Sequence, residues 1–201
     1  MCAEQKLPPL LSKEEINALP IRAYEGEIRL VRTEEELSDA LPLLWEEKIL
    51  GFDTETKPMF TKGKKTSPAL IQLAGERTVY LIQLTRVPFA APVAELLEAP
   101  RIVKAGVAIR DDMRALAALY SFSPENSVDL ALLAHSQGIK AQGLRTLAAN
   151  LLGFRISKNA QCTNWESPSL SPRQIRYAAT DAWLGRKLYL LLAGIRESGF
   201  Q

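Results

Sequence analysis

Two cysteines and a single histidine are all the soft metal-ligating chemistry this chain of 201 residues carries. Cys2 and Cys162 cannot build a disulfide framework or a cysteine-type zinc site, and His135 alone cannot build a histidine-based one. A reducing cytoplasm fits that usage. No apolar run approaches the roughly 18 residues of a membrane span, and the first twenty residues lack a long apolar segment behind a basic start, so neither a membrane anchor nor a signal peptide is expected. An excess of one charge is missing as well. Lys and Arg number 25 against 23 Asp and Glu, a formal net charge of +2. A polybasic binder is thereby excluded, and any contact with nucleic acid has to come from a local patch. There is also no internal repeat, no low-complexity tract and no linker.

What remains is an ordinary globular composition, 47% hydrophobic and 24% charged, and a length enough for one sizeable α/β domain or two small ones, of which one mixed α/β domain is the simplest account. Residues 1–26, rich in proline and charge, read as an arm on the surface of a domain spanning 27–201, with a short helix start at Ser12-Lys13-Glu14-Glu15. Strands are expected at Glu27–Val31, Ile49–Glu55, Ala69–Ala74, Thr78–Leu84 and Ile102–Ala105. Thr33 and Glu36 form a capping box ahead of Leu37, Leu41, Leu44 and Trp45 at helical spacing. Further helices are expected around Pro92–Leu97, 111–120, 129–137, 143–152 and 172–197. The last is opened by Ser171-Pro172-Arg173-Gln174.

Three short motifs carry chemistry. In "GFDTETKP", Asp53 and Glu55 lie two apart on a strand and share one face, while Phe52 and Thr54 face the other way. Two adjacent carboxylates repel unless a cation offsets them, and oxygen-only ligands suit a hard ion such as Mg²⁺ or Mn²⁺. Alone, the pair also matches a salt-bridged strand end. In "KAGVAIRDDMRAL" a helix opens near Asp111. At roughly 100° per residue Asp112 lies at the edge of the apolar stripe of Met113, Leu116, Ala117 and Tyr120, whereas Asp111 falls nearly opposite. Asp112 is thus the better aimed at an interior site and Asp111 the better suited to capping, although both could simply complement the helix dipole. In "RYAATDAW", Tyr177 and Asp181 are four apart on one helix face, and Gly185 continues that face with room for a backbone or a ligand.

Taken in order, these motifs resemble the DEDDy 3′–5′ exonucleases, the family of ribonuclease D, the Werner-type exonuclease domain and the proofreading domain of family A polymerases. The resemblance runs from about Ile28 to Leu191 and includes "ALIQLA", "VDLALLA" and "LLGFRISKNAQCTNWE". It implies an α/β, ribonuclease H-like fold with a mixed central sheet flanked by helices. It implies that Asp53, Glu55, Asp112 and Asp181 hold two divalent cations, Mg²⁺ or Mn²⁺, about 3.5–4 Å apart, with Asp111 a residual alternative for Asp112. Tyr177 would orient the attacking water, because a phenol of ordinary pKa near 10 is a poor base at pH 7. The implied activity is metal-dependent hydrolysis at the 3′ end of single-stranded DNA or RNA, releasing nucleoside 5′-monophosphates.

Thr56, Met59 and Phe60 fall where relatives hold the terminal nucleotide: an apolar side chain stacked on a base, a hydroxyl near the sugar. Phe60 could equally pack on its own domain. Lys57, Lys62, Lys64 and Lys65 could draw in a phosphate backbone or make a solvated loop. Lys158, Gln161, Asn164 and Trp165 precede the last helix near the expected site, with Lys158 the candidate substrate contact and Trp165 a possible core anchor. Asp129 is expected to cap a helix, and His135 to be structural. The chain shows no helicase, polymerase or helical RNA-binding extension. An oligoribonuclease acting on very short RNAs, a non-catalytic nucleic-acid-binding module and an adaptor whose arm docks on a partner are the alternatives.

Overall fold

The computed structural model of the chain describes residues 10–58 and 67–194. Among them, six strands form one sheet: β1 Glu27–Val31, β2 Ile49–Thr56, β3 Pro68–Ala74, β4 Thr78–Gln83, β5 Val103–Gly106 and β6 Ser127–Asp129, in the spatial order β1-β4-β3-β2-β5-β6. β3 pairs antiparallel with both β2 and β4, and every other pairing is parallel. The sheet is therefore mixed. β3 and β4 are buried along their whole length, as expected of strands covered on both faces.

Seven helices among the described residues accompany the sheet: α1 Lys13–Ala18, α2 Glu34–Glu46, α3 Ala91–Glu98, α4 Ile109–Ala117, α5 Leu130–Ser136, α6 Leu144–Leu152 and α7 Pro172–Leu192. One face of the sheet, with Phe52, Ile71, Leu73 and Ile82, packs on Leu37 and Leu44 of α2, Leu96 of α3 and Met113 of α4. The other face, with Leu70, Val79 and Leu81, packs on Trp165 and on Ala178, Ala179 and Ala182 of α7. Beyond it α5 and α6 close over Leu184 and Leu188 of α7.

Several element boundaries differ from expectation. α4 starts at Ile109, two residues early, because Ala108 adopts a left-handed conformation (φ 57°) that turns the chain straight out of β5 into the helix. Asp111 consequently does not cap it; it is solvent-exposed and pairs with Arg114 at 2.8 Å. A sixth strand precedes α5, so Asp129 ends β6 before its Oδ1 caps α5 through the amides of Ala131 and Leu132. α7 stops at Leu192 rather than 197, with Gly194 in the left-handed region behind it (φ 68°). The capping boxes at Ser12 and Ser171 and the Thr33 cap are present.

α7 lies directly on β2 and β5, and two glycines permit it. A Cβ on Gly51 would run into the Ala182 carbonyl oxygen, and one on Gly185 would sit 2.8 Å from that of Ala105. The room left by Gly185 is taken by another backbone. Gly51→Ala should therefore cost about 3 kcal/mol or more, above the usual ~1–3 kcal/mol of core overpacking because the obstacle is backbone. A denaturant midpoint that stays put would show that α7 can stand off the sheet freely.

Residues 10–24 are tied to the domain rather than merely laid on it. Leu11 donates its amide to Asn150 Oδ1, Ile21 and Arg155 form a parallel bridge, and Tyr24 donates its amide to Thr180 Oγ1 while its ring meets Trp183. Ile16 of α1 is buried.

Candidate active site

β2 ends at the mouth of a cleft of about 550 Å³. Asp53 and Glu55 project from its α7-facing side, with Gln72 and Leu70 of β3 opposite them. Tyr177 and Asp181 come down from α7 into the same cleft. Trp165 is fully buried with its ring 6.0 Å from that of Tyr177; it is a core anchor that backs the tyrosine. Asp112 arrives from the opposite layer on α4, where the Thr54 hydroxyl donates to its Oδ1 at 2.5 Å. Period-2 alternation turns Thr54 away from Asp53 and Glu55, and this is the side on which α4 presents its acid.

All four carboxyls are raised chiefly by burial, and Asp53 and Glu55 are raised further by their acidic neighbours. Burial, then the charges of Asp53, Asp181 and Asp112, push Glu55 up to about 9. Burial raises Asp181 to about 7 against the opposing pull of the Tyr177 hydroxyl and Lys158, and raises Asp112 to about 6 against the Thr54 hydrogen bond. Asp53 is also held well above the usual carboxylate range, by burial and then by Asp181 and Asp112. Tyr177 is raised by burial and by the charges of Asp181 and Glu55, so its phenol stays protonated at working pH. These are the marks of a cluster short of positive charge.

Among the described residues, no three His, Cys, Asp or Glu side chains are grouped tightly enough to hold one ion. The donor set nonetheless fits a hard divalent cation: it is all oxygen, and Asp181 Oδ1 is buried with no hydrogen-bond partner among the described residues.

The chain matches the family model for 3′–5′ exonucleases over residues 28–194. It belongs to the 3′–5′ exonuclease family. It is 32% identical over 148 residues to the Drosophila melanogaster exonuclease 3′–5′ domain-containing protein 2, covering 71% of this chain and 25% of that protein. It is 33% identical over 168 residues to the ribonuclease D of Gluconacetobacter diazotrophicus, covering 81% of this chain and 42% of the relative. The crystal structure of the Aedes aegypti Nibbler EXO domain superposes with a TM-score of 0.76 at 27% identity, covering 88% of this chain and 92% of that one. The chain spans less than half the length of these two curated relatives. The mixed sheet between helix layers is the ribonuclease H-like fold expected of the family. Members of this exonuclease family depend on divalent metal.

Of the other residues singled out from sequence, Lys158 and Gln161 line the cleft. Lys158 is close enough to Asp181 to favour its charged form. Thr56 lies just past a shift in the β2–β3 register between Glu55 and Thr56, outside the cleft lining. Lys57 is paired with Glu166 at 2.9 Å. Asn164 is exposed and accepts from Gln174 through its backbone carbonyl. His135 is exposed near the end of α5. Met59, Phe60, Lys62, Lys64, Lys65 and Cys2 lie outside the described residues. The cleft also has a wall that no sequence pattern marked: Lys13, Ile16 and Asn17 of α1, facing Arg145 at the start of α6. No helix among the described residues is long and apolar enough to cross a membrane.

Proposed function

We propose that this chain is a divalent-cation-dependent 3′–5′ exonuclease that hydrolyses the terminal phosphodiester of single-stranded DNA or RNA. The observation that carries the reading is the meeting, in one cleft, of Asp53 and Glu55 from β2 with Tyr177 and Asp181 from α7, all with upward-shifted pKa values. Asp53, Glu55, Asp112 and Asp181 would hold the cations, two Mg²⁺ or Mn²⁺ ions. When bound, these ions lower the pKa of water and offset charge on the phosphoryl oxygens. Tyr177, protonated throughout, orients the attacking water by a hydrogen bond, and Lys158 faces the phosphate beside Asp181. The water oxygen bonds to phosphorus, the bond from phosphorus to the upstream 3′ oxygen breaks, and that oxygen takes up a proton. A nucleoside 5′-monophosphate leaves. Cys162, exposed and free, suits a reducing cytoplasm.

The test uses 5′-labelled single-stranded DNA, RNA and a dinucleotide with Mg²⁺ or Mn²⁺, wild type beside Asp53→Ala and an EDTA control. A cation-dependent ladder shortening from the 3′ end, absent in the variant, is expected, and the preferred length identifies the substrate class. Binding without cleavage of any substrate would replace this reading with the non-catalytic module.

Two side chains give graded effects. Tyr177→Phe should lower kcat about tenfold to a hundredfold and leave the alkaline limb of the pH–rate profile in place, since a protonated phenol contributes orientation and not a titrating base. A lost alkaline limb would make it the base. Thr54→Val removes the hydrogen bond that holds Asp112. Outer partners of ligands are worth about 10–100-fold in metal affinity. The Mn²⁺ concentration giving half-maximal rate should therefore rise about tenfold, and an unchanged value would show that Asp112 needs no support.

A further inference from the structure

We propose that α1 and the start of α6 form a seat, centred on Arg145, for the phosphate upstream of the scissile one, so that the N-terminal arm is part of the substrate-binding surface. This rests on the exonuclease reading of the acidic end of the same cleft. Three observations meet at the seat. First, Arg145, Lys13 and Asn17 line the cleft whose other wall holds Asp53, Glu55 and Asp181. A chain with its 3′ end at the acids therefore runs its backbone past the cations Arg145 and Lys13. Second, the Arg145 guanidinium is pre-set. Its Nη2 donates to Asn17 Oδ1 at 2.6 Å, which fixes a long side chain that would otherwise lose rotamer freedom on binding. Third, that guanidinium is under-used. Its Nε is shielded from water with no acceptor, and no carboxylate pairs with it among the described residues.

A buried arginine donor without an acceptor is costly. A guanidinium carries five donors suited to phosphate; Nε is shielded, so a phosphate in the cleft meets the Nη end, and its charge offsets that of the guanidinium where no carboxylate does. α1 itself is held in place independently of Arg145. Ile16 is buried and Leu11 is bonded to Asn150 on α6. The arm therefore does not need Arg145 as a structural strut, and Lys13 is left facing the cleft one turn before Asn17.

The test is a ratio. Oligonucleotides carrying either a normal phosphate or a neutral methylphosphonate at the linkage immediately upstream of the scissile one are compared by kcat/KM. Wild type should prefer the charged linkage about tenfold, the size of one charge-assisted hydrogen bond lost. Arg145→Gln should bring the ratio close to one, and Arg145→Lys should restore part of it. A purely structural Arg145 would lower both rates together and leave the ratio at its wild-type value, which would overturn the proposal. If Arg145→Gln does not fold by circular dichroism, Lys13→Gln, at an exposed position, reads the same ratio and should reduce it about two- to fivefold; an unchanged ratio there has the same overturning force. Failure of the exonuclease reading looks different: wild type then cleaves neither oligonucleotide with any cation.

Discussion

Asp181→Asn is expected to lower the single-turnover rate about a thousandfold while making the cation-free protein more stable. The two effects have one cause. Asp181 is 5% exposed, carries an unpartnered Oδ1, and adds to the upward push on Asp53, Glu55 and Tyr177. Asparagine keeps the shape and removes the charge. Without a cation that is relief: one fewer carboxylate has to be kept out of water beside like charges. With a cation, on the proposed assignment, it is a lost ligand, and one preorganised electrostatic group aimed at developing charge is worth about 10²–10³ in rate. Stability is read by thermal unfolding in EDTA, and rate with a 5′-labelled oligonucleotide at saturating Mn²⁺. A variant with less than a tenfold loss in rate would take Asp181 out of the cation site. One that lost activity and stability together would mark Asp181 as a structural residue. The contrast with Gly51→Ala is informative, because that change reaches the same site only by lifting α7 off β2 and must lower both quantities.

The parts of this site that could be read from sequence are those carried by a single element's periodicity. Asp53 and Glu55 share a face because a strand alternates, and Tyr177 and Asp181 share one because a helix turns every 3.6 residues. The edge position of Asp112 on its apolar stripe separates it from Asp111, and the structure agrees: one accepts from Thr54, the other sits in solvent with Arg114. The sheet's central strands and the caps of α1, α2 and α7 are equally local. What stays illegible is tertiary. β6 is three residues long and exists only because Lys104, Ala105 and Gly106 pair with it. The early start of α4 depends on one left-handed alanine, a conformation rarely taken by residues other than glycine, asparagine or aspartate. The service of Thr54 to Asp112 could not be inferred from a strand on its own, because the helix it meets is 58 residues away. Likewise nothing in "SKEEINALP" announces a wall of the cleft. Its capping box specifies a helix, and only the burial of Ile16 and the flanking ties to Asn150 and Arg155 say where that helix goes.

The acidic cluster also makes stability depend on pH in an unusual direction. Glu55 is raised to about 9, Asp181 to about 7 and Asp112 to about 6. In an unfolded chain such groups titrate near 4. Between those limits the folded protein binds more protons than the unfolded one, so the slope of unfolding free energy against pH is negative. The penalty is absent below about pH 4, grows through the neutral range and is complete only above about pH 9. In EDTA the melting temperature should therefore fall from pH 5.5 to pH 9. The fall should correspond to a loss on the order of a few kcal/mol, since a carboxyl that titrates one pH unit higher folded than unfolded costs roughly 1.4 kcal/mol once ionised. Millimolar Mg²⁺ or Mn²⁺ should act in the opposite sense. A cation needs the carboxylates deprotonated, so its binding releases protons and tightens as pH rises, and it stabilises the folded state by mass action. The two melting curves should nearly coincide at pH 5.5 and separate widely at pH 9. Glu55→Gln, which removes the highest-titrating of these three acids, should flatten the EDTA curve above pH 7 and narrow the gap. A melting temperature in EDTA that holds level or rises between pH 6 and 9, or a cation-induced shift of equal size at both ends, would mean that the acids are not competing for one another's protons. The site would then not be the cation-deficient cluster that its burial and spacing describe.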